Sequence, residues 1–208
     1  ISQLLKDPEL KKIYLSHVRT IVQENFANGD YEKRAETLQR MIQVPFINDK
    51  NREYSYEDFK NSLKSTIGSK SRIPGIEELM SRRVKNLRKH PELRAIPPEI
   101  SEVKVLGREQ YATAINQFTV VAKVSKLPRK VILMYRHDPN QSFKAMEMMD
   151  NGKEKDGAAN DGTYAITVGK GTTDHLEYYI VAENAAAINY APSNYMFNLY
   201  EANITELN

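Results

Sequence analysis

The chain contains no cysteine and no tryptophan. Without thiols there are no disulfides, no thiolate nucleophile and no sulfur-ligated zinc, although this does not decide the redox compartment. Without tryptophan, a stacking platform for a sugar ring has to be built from the 12 tyrosines and 6 phenylalanines alone. No run approaches the roughly 18 apolar residues that a membrane span needs, so no span is expected in this chain. The first residue is Ile1 rather than Met, and the chain therefore reads as a cut or processed piece with any export signal upstream. What is present is 208 residues, 40% hydrophobic and 27% charged, which suffices for one large or two ordinary globular domains.

The net charge of +3 conceals an asymmetry. Residues 1–94 carry 19 Lys and Arg against 13 Asp and Glu, whereas the remainder carries 11 against 14. The hydrophobic period changes at the same place.

The first part reads as helical. Asp7-Pro8 supplies an N-cap and a proline at the first helical position, and Leu10, Ile13, Tyr14, Val18, Ile21 and Val22 then recur at helical spacing until Asn28-Gly29. A second helix is predicted from Asp30, with Ala35, Leu38, Met41 and Ile42 on one face, stopping before Pro45. Ser55-Tyr-Glu-Asp58 has the form of a capping box, opening a short helix that packs Tyr56, Phe59 and Leu63 and ends by Gly68. Pro74-Gly-Ile-Glu-Glu opens a fourth helix that turns Ile76, Leu79, Met80, Val84 and Leu87 inward and stops at His90-Pro91.

From Pro97-Pro98 the pattern becomes strand-like. Seven segments are predicted: 100–106, 118–124, 131–135, 143–149, 164–168, 176–182 and 195–199. Short strands separated by turn signals predict an antiparallel sandwich of the immunoglobulin and fibronectin type III kind, with Tyr178-Tyr179 as candidates for a tyrosine corner. The fold class expected is thus α+β in two domains: a small helical bundle segment, 1–94, followed by an Ig-like antiparallel β-sandwich, 95–208.

One loop in the second part is rich in Asp-Gly pairs. Asp150, Asp156 and Asp161 sit with Gly152, Gly157 and Gly162 between predicted strands. Two readings stand. The pairs make turns, with the carboxylates bonding local amides; or the three acids converge and, with backbone carbonyls, offer the hard oxygens of a calcium site, although their spacing does not fit an EF-hand.

Other motifs carry less. Gly169-Lys-Gly-Thr-Thr173 lacks the upstream glycine of a phosphate loop and precedes a strand, so a hairpin turn is expected there. His17, His90, His137 and His175 show no metal-ligand spacing, and Met146, Met148 and Met149 read as strand-packing residues. Arg82, Arg83, Lys85, Arg88 and Lys89 share a helix with Glu77 and Glu78 and have no interleaved aromatic residue, which favours a solvated helix face over nucleic-acid binding.

Several of these stretches together resemble a known family. Tyr14-Leu-Ser-His-Val-Arg-Thr-Ile, Tyr31-Glu-Lys-Arg-Ala-Glu-Thr-Leu, Tyr54-Ser-Tyr-Glu-Asp-Phe and Pro74-Gly-Ile-Glu-Glu-Leu-Met-Ser-Arg-Arg are similar to the C-terminal helical end of the CotH (spore coat protein H) kinase family. The part from Pro97 resembles the Ig-like domain that often follows that kinase, on Met148 to Gly152, Asp156-Gly157, Asp161-Gly162 and Tyr178 to Ala182. The resemblance implies an atypical protein kinase, using ATP and a divalent metal such as magnesium, and an extracellular or cell-surface setting in many bacterial members. The family's nucleotide-binding lysine and metal-binding acids belong to an earlier part of that domain, so no catalytic or cofactor-binding residue carries over to this chain.

Two functions follow as expectations. In the first, the chain is the non-catalytic C-terminal portion of a CotH-like kinase, its helices supporting the catalytic lobe and its sandwich positioning the enzyme or substrate at a surface. In the second, the sandwich is an adhesion or carbohydrate-binding module on a helical stalk, with a surface protein or glycan as partner. The chain by itself is expected to transfer no phosphate, because that chemistry needs a cationic clamp beside magnesium-holding carboxylates.

Overall fold

The computed structural model describes residues 3–69, 71–106, 117–169, 171 and 173–203. The fold is α+β, with helices first and antiparallel sheets after them. By its internal contacts the chain divides into two compact units, one of Ile1–Ser16 with Ala95–Asn208 and the other of His17–Arg94. The sequence-based division at 94/95 puts residues 1–16 with the helices, whereas by contacts they group with the strands.

The helices are α1 (Pro8–Ile21), α2 (Asp30–Asn48), α3 (Tyr56–Asn61) and α4 (Ile76–Lys89). Their starts follow from capping chemistry. Asp7 Oδ1 accepts from the Glu9 and Leu10 amides (2.8 and 3.1 Å), two of the donors that no helical carbonyl can reach. Ser55 and Asp58 form the reciprocal capping box, Ser55 Oγ accepting from the Asp58 amide (3.0 Å) and Asp58 Oδ2 from the Ser55 amide (3.2 Å).

In α2 the expected stop before Pro45 is overturned: the helix runs through Pro45 to Asn48. Pro45 lies in the last turn, where the missing N–H removes a single bond, and the Asp49 amide still reaches the Pro45 carbonyl (3.1 Å). Continuing the helix also brings Phe46 onto Phe59, ring centroids 4.2 Å apart and nearly parallel.

The strands are β1 (Glu99–Leu106), β2 (Gln117–Ser125), β3 (Lys130–Arg136), β4 (Lys144–Glu147), β5 (Thr163–Gly169), β6 (His175–Glu183), β7 (Ile188–Ala191) and β8 (Tyr200–Asn203). One sheet has the order β1-β2-β5; the other has β4-β3-β6-β7, with β8 also paired to β6. All pairs are antiparallel, and the chain crosses between sheets at β2–β3, β4–β5 and β5–β6, the connectivity of an Ig-like sandwich. Alternation on each strand sends Phe118, Val120, Val131, Leu133, Val168, Leu176 and Ile180 into one core, where they are fully buried.

Two strand expectations fail. Residues 195–199 form no strand; the last edge is instead split into β7 and β8 around Pro192, whose lack of an N–H prevents it from donating to the ladder. Gly169 to Thr173 lies on a crossing between sheets rather than in a hairpin, because β5 pairs with β2 while β6 pairs with β3; Lys170 and Thr172 fall outside the described residues.

Candidate functional site

The Asp-Gly loop is built by its own carboxylates. Asp150 Oδ1 and Oδ2 accept from the Asp161 and Gly162 amides (3.2 and 2.8 Å). Asp156, 1% exposed, accepts on Oδ2 from the Asn151 and Gly152 amides (2.6 and 3.0 Å). Asp161 accepts from Ala158 and Thr163 (3.1 and 2.8 Å), and its carboxyl is held below the usual range, first by the Thr163 hydroxyl and then by those amides. Gly157 has a positive φ of 91°, and a Cβ there would lie 2.8 Å from Asp161 Oδ2, so the turn is closed to larger residues.

These residues do not fit calcium as they stand. Calcium takes about 6–8 oxygens, and here the loop's own amides occupy five of the six carboxylate oxygens; Asp156 Oδ1 is the one without a partner. Among the described residues no group of three or more metal-ligating side chains forms. The geometry is that of turns held by aspartate caps.

The outward face of β6 brings together residues that the sequence reading did not single out as a site. Leu176, Tyr178, Ile180 and Ala182 point into the core, so His175, Glu177, Tyr179, Val181 and Glu183 share the other face. Tyr179 stacks on Tyr195 (4.3 Å), Tyr195 on Tyr190 (4.6 Å), and Phe143 meets Tyr179 edge-on (5.1 Å). Arg136, opposite Glu177 in the β3–β6 register, binds it through Nε (2.6 Å) and lies 4.5 Å from the centre of the Phe143 ring.

This patch is packed rather than open. Tyr190 is buried, its phenol pushed up to about 12 by burial first and by the neighbouring Tyr195 second, with Ser16 of α1 hydrogen-bonded to it. Lys12, one turn earlier, pairs with Glu183 on the same face. The rings present their faces to one another, which leaves little of the coplanar surface that a sugar stacks on. Beyond them, Phe197 is 89% exposed and Met196 stands beside it.

The tyrosine-corner expectation is not met. Tyr178 is buried against Tyr200, ring centroids 5.4 Å apart, and none of the described residues hydrogen-bonds its phenol. Met148 is buried and Met146 packs on the core, while Met149 is exposed. His137 and His175, distant in sequence, become neighbours: a His137 ring nitrogen lies 2.9 Å from the His175 carbonyl. The pairing of β3 with β6 does this, and alternation alone does not reveal it.

Within the helical unit, α2 leaves an apolar stripe in solvent, Leu38, Met41 and Ile42 at helical spacing, with Val44 and Ile47 exposed farther round the helix. Leu38, Met41, Ile42, Val44 and Ile47 are all exposed, Met41 at 71%. Leu38, Met41 and Ile42, which their spacing groups on one face, lie on the side of α2 left in water. The α2 side chains that reach α3 are Gln39, bonded to the Phe59 carbonyl (2.5 Å), Gln43, bonded to the Tyr56 hydroxyl (2.7 Å), and Phe46. Among the described residues no helix is long and apolar enough to cross a membrane.

No family model matches this chain, and no curated protein does. Among solved structures, the Br derivative of BhCBM56 resembles it with a TM-score of 0.34 at 13% identity, over 49% of this chain and 88% of that one.

Proposed function

We propose that the chain is a non-catalytic accessory piece of a CotH-like kinase, in which the helical unit supports a catalytic lobe and the sandwich serves as a surface or substrate-positioning module. One observation carries the reading: the apolar face of α2. Burying a Leu, Ile, Met or Val side chain contributes about 1.5–3 kcal/mol, so a face with several left in water is a surface suited to a partner. The resemblance of 13–89 to the helical end of the CotH kinase domain supplies that partner, the lobe that would hold ATP and magnesium, and an exported or cell-surface setting.

A CotH-type catalytic lobe supplied in trans should bind the purified chain, and Met41→Lys with Val44→Lys should abolish the complex while leaving the sandwich folded. Binding unaffected by those changes would contradict the reading, and so would phosphate transfer by the chain alone that disappears on changing one of its own acids. Self-association lost in the same variant would assign the face to a second copy instead. The second reading, an adhesion or glycan-binding module, draws on the Tyr179, Tyr190 and Tyr195 cluster. It ranks lower because those rings stack on one another.

A further inference from the structure

The basic run on α4 faces more than solvent. Ser81, Val84, Lys85 and Arg88 are spaced by three and four residues and so share one side of the helix. That side forms one wall of a cavity of about 630 Å³ whose other wall comprises Phe26, Asn28, Tyr31 and Glu32. The volume lies within the roughly 300–1,000 Å³ of small-molecule sites. Every lining residue belongs to the unit His17–Arg94.

Its charges do not cancel. Lys85, Arg88 and Lys89 line it and, among the described residues, none is in an ion pair. The α4 ion pair that does form, Glu78 with Arg82, uses residues that do not line the cavity. Glu32 is the one carboxylate in the lining, and it is bonded to the Tyr31 hydroxyl. Asp30 is engaged by Asn28 (2.7 Å) and Lys33 (3.3 Å). The Tyr31 phenol, pushed up to about 12 first by burial and then by Glu32, stays protonated at neutral pH. Three cations thus share the lining with one carboxylate that is already engaged, and Glu77, outside the lining, acts on the Tyr31 phenol.

Beside the cations lies an apolar wall. Phe26 and Tyr31 meet edge to face with centroids 6.0 Å apart, and Val84 is buried at their side. A solvated basic face needs no such wall. Cations next to an aromatic edge match a ligand with an anionic head and an apolar body, and the arginine fork suits phosphate oxygens better than it suits a halide or a lone carboxylate.

We infer that this cavity binds a small organic phosphate, its phosphate on Lys85 and Arg88 and its apolar body against Phe26 and Tyr31. The site is separate from the α2 docking face, since Leu38, Met41 and Val44 are not in its lining.

Calorimetric titration of the whole chain with phenyl phosphate, inorganic phosphate and phenol tests the assignment. Phenyl phosphate should bind at least about tenfold more tightly than either of the others. Arg88→Gln and Lys85→Gln should each weaken it by about tenfold, the scale of one charge-assisted bond, while Arg83→Gln, on the same helix but outside the lining, should leave it unchanged. Phe26→Leu should weaken phenyl phosphate and leave inorganic phosphate alone. Circular dichroism would confirm that each variant keeps its helices, and a variant that unfolds is replaced by Lys89→Gln, read in the same way. No binding at millimolar phenyl phosphate, an equal loss in Arg83→Gln, or tighter binding of an RNA oligonucleotide would each overturn the inference.

Discussion

The strand unit and the helical unit bury their apolar side chains to very different degrees. Between the two sheets Phe118, Leu133, Met148, Leu176 and Ile180 lose essentially all contact with water. Among the described apolar residues of the helical unit, only Val22 and Val84 are buried, while Ile21, Leu38, Met41, Ile42, Val44, Ile47, Ile73 and Ile76 stay exposed. A sandwich brings its second layer within the same chain, so alternation on one sheet always finds a partner. An amphipathic helix guarantees only that a face exists, and the neighbour that covers it has to come from elsewhere in the fold or from another body. The strand unit therefore buries its own apolar faces, whereas the helical unit leaves much of its apolar surface in water.

The sharpest way to break that contrast is to cut both cores. Phe118→Ala should destabilise the chain by about 3–5 kcal/mol, as cavities in tightly packed cores do, whereas Val22→Ala should cost about 1 kcal/mol or less. Chemical denaturation monitored on both variants checks this, and equal costs would erase the distinction. A smaller effect belongs to the Asp-Gly loop. Asp156→Ala leaves the Asn151 and Gly152 amides without their acceptor and should cost about 1–3 kcal/mol, and in the unaltered chain millimolar calcium should leave the melting temperature where it is.

The two units should also part under alkali. Tyr178, Tyr179, Tyr190, Tyr195 and Tyr200 all have phenols raised above the ordinary value of 10.0, with burial the largest cause in each, and Tyr190 reaches about 12. A folded-state value above the unfolded one means that the folded state holds the proton more tightly. Stability is then complete below the unfolded value and falls as pH rises from 10 toward 12. In the helical unit Tyr31 is raised in the same way, one phenol against the five named in the strand unit, so strand signals should decline more steeply with alkaline pH than helical ones. Tyrosinate absorbance paired with amide resonances from each unit would follow this. The smallest expected effect is on α2: Met41→Gln with Val44→Thr should change the stability of the chain alone by no more than about 0.5 kcal/mol.

Much of this architecture is legible in the sequence where a local rule decides the outcome. Asp7-Pro8, Ser55 with Asp58 and His90-Pro91 mark helix ends because capping is settled within a few residues, and six of the strands lie where alternation places them. The misses are non-local. Pro45 is tolerated because of where it falls along α2 and because Phe46 finds Phe59. The last strand divides around Pro192, and the segment after it folds back so that Tyr195 reaches Tyr179. Residues 1–16 belong with the strands because Lys12 and Ser16 reach Glu183 and Tyr190, contacts that no helical period announces. The aspartates were legible as turn formers; that five of their six oxygens meet amides is knowable only once the loop is closed.

Hydrogen exchange read by mass spectrometry on the intact chain tests the central contrast most directly, because it reports the opening energy of both units in one experiment. Amides of β2, β3 and β6 should exchange slowest, at the rate set by global unfolding. Those of α2 between Leu38 and Val44 should exchange far faster through local opening. If the α2 amides are as slow as those of β6 in the chain alone, the helical unit is complete by itself and its apolar face awaits no partner.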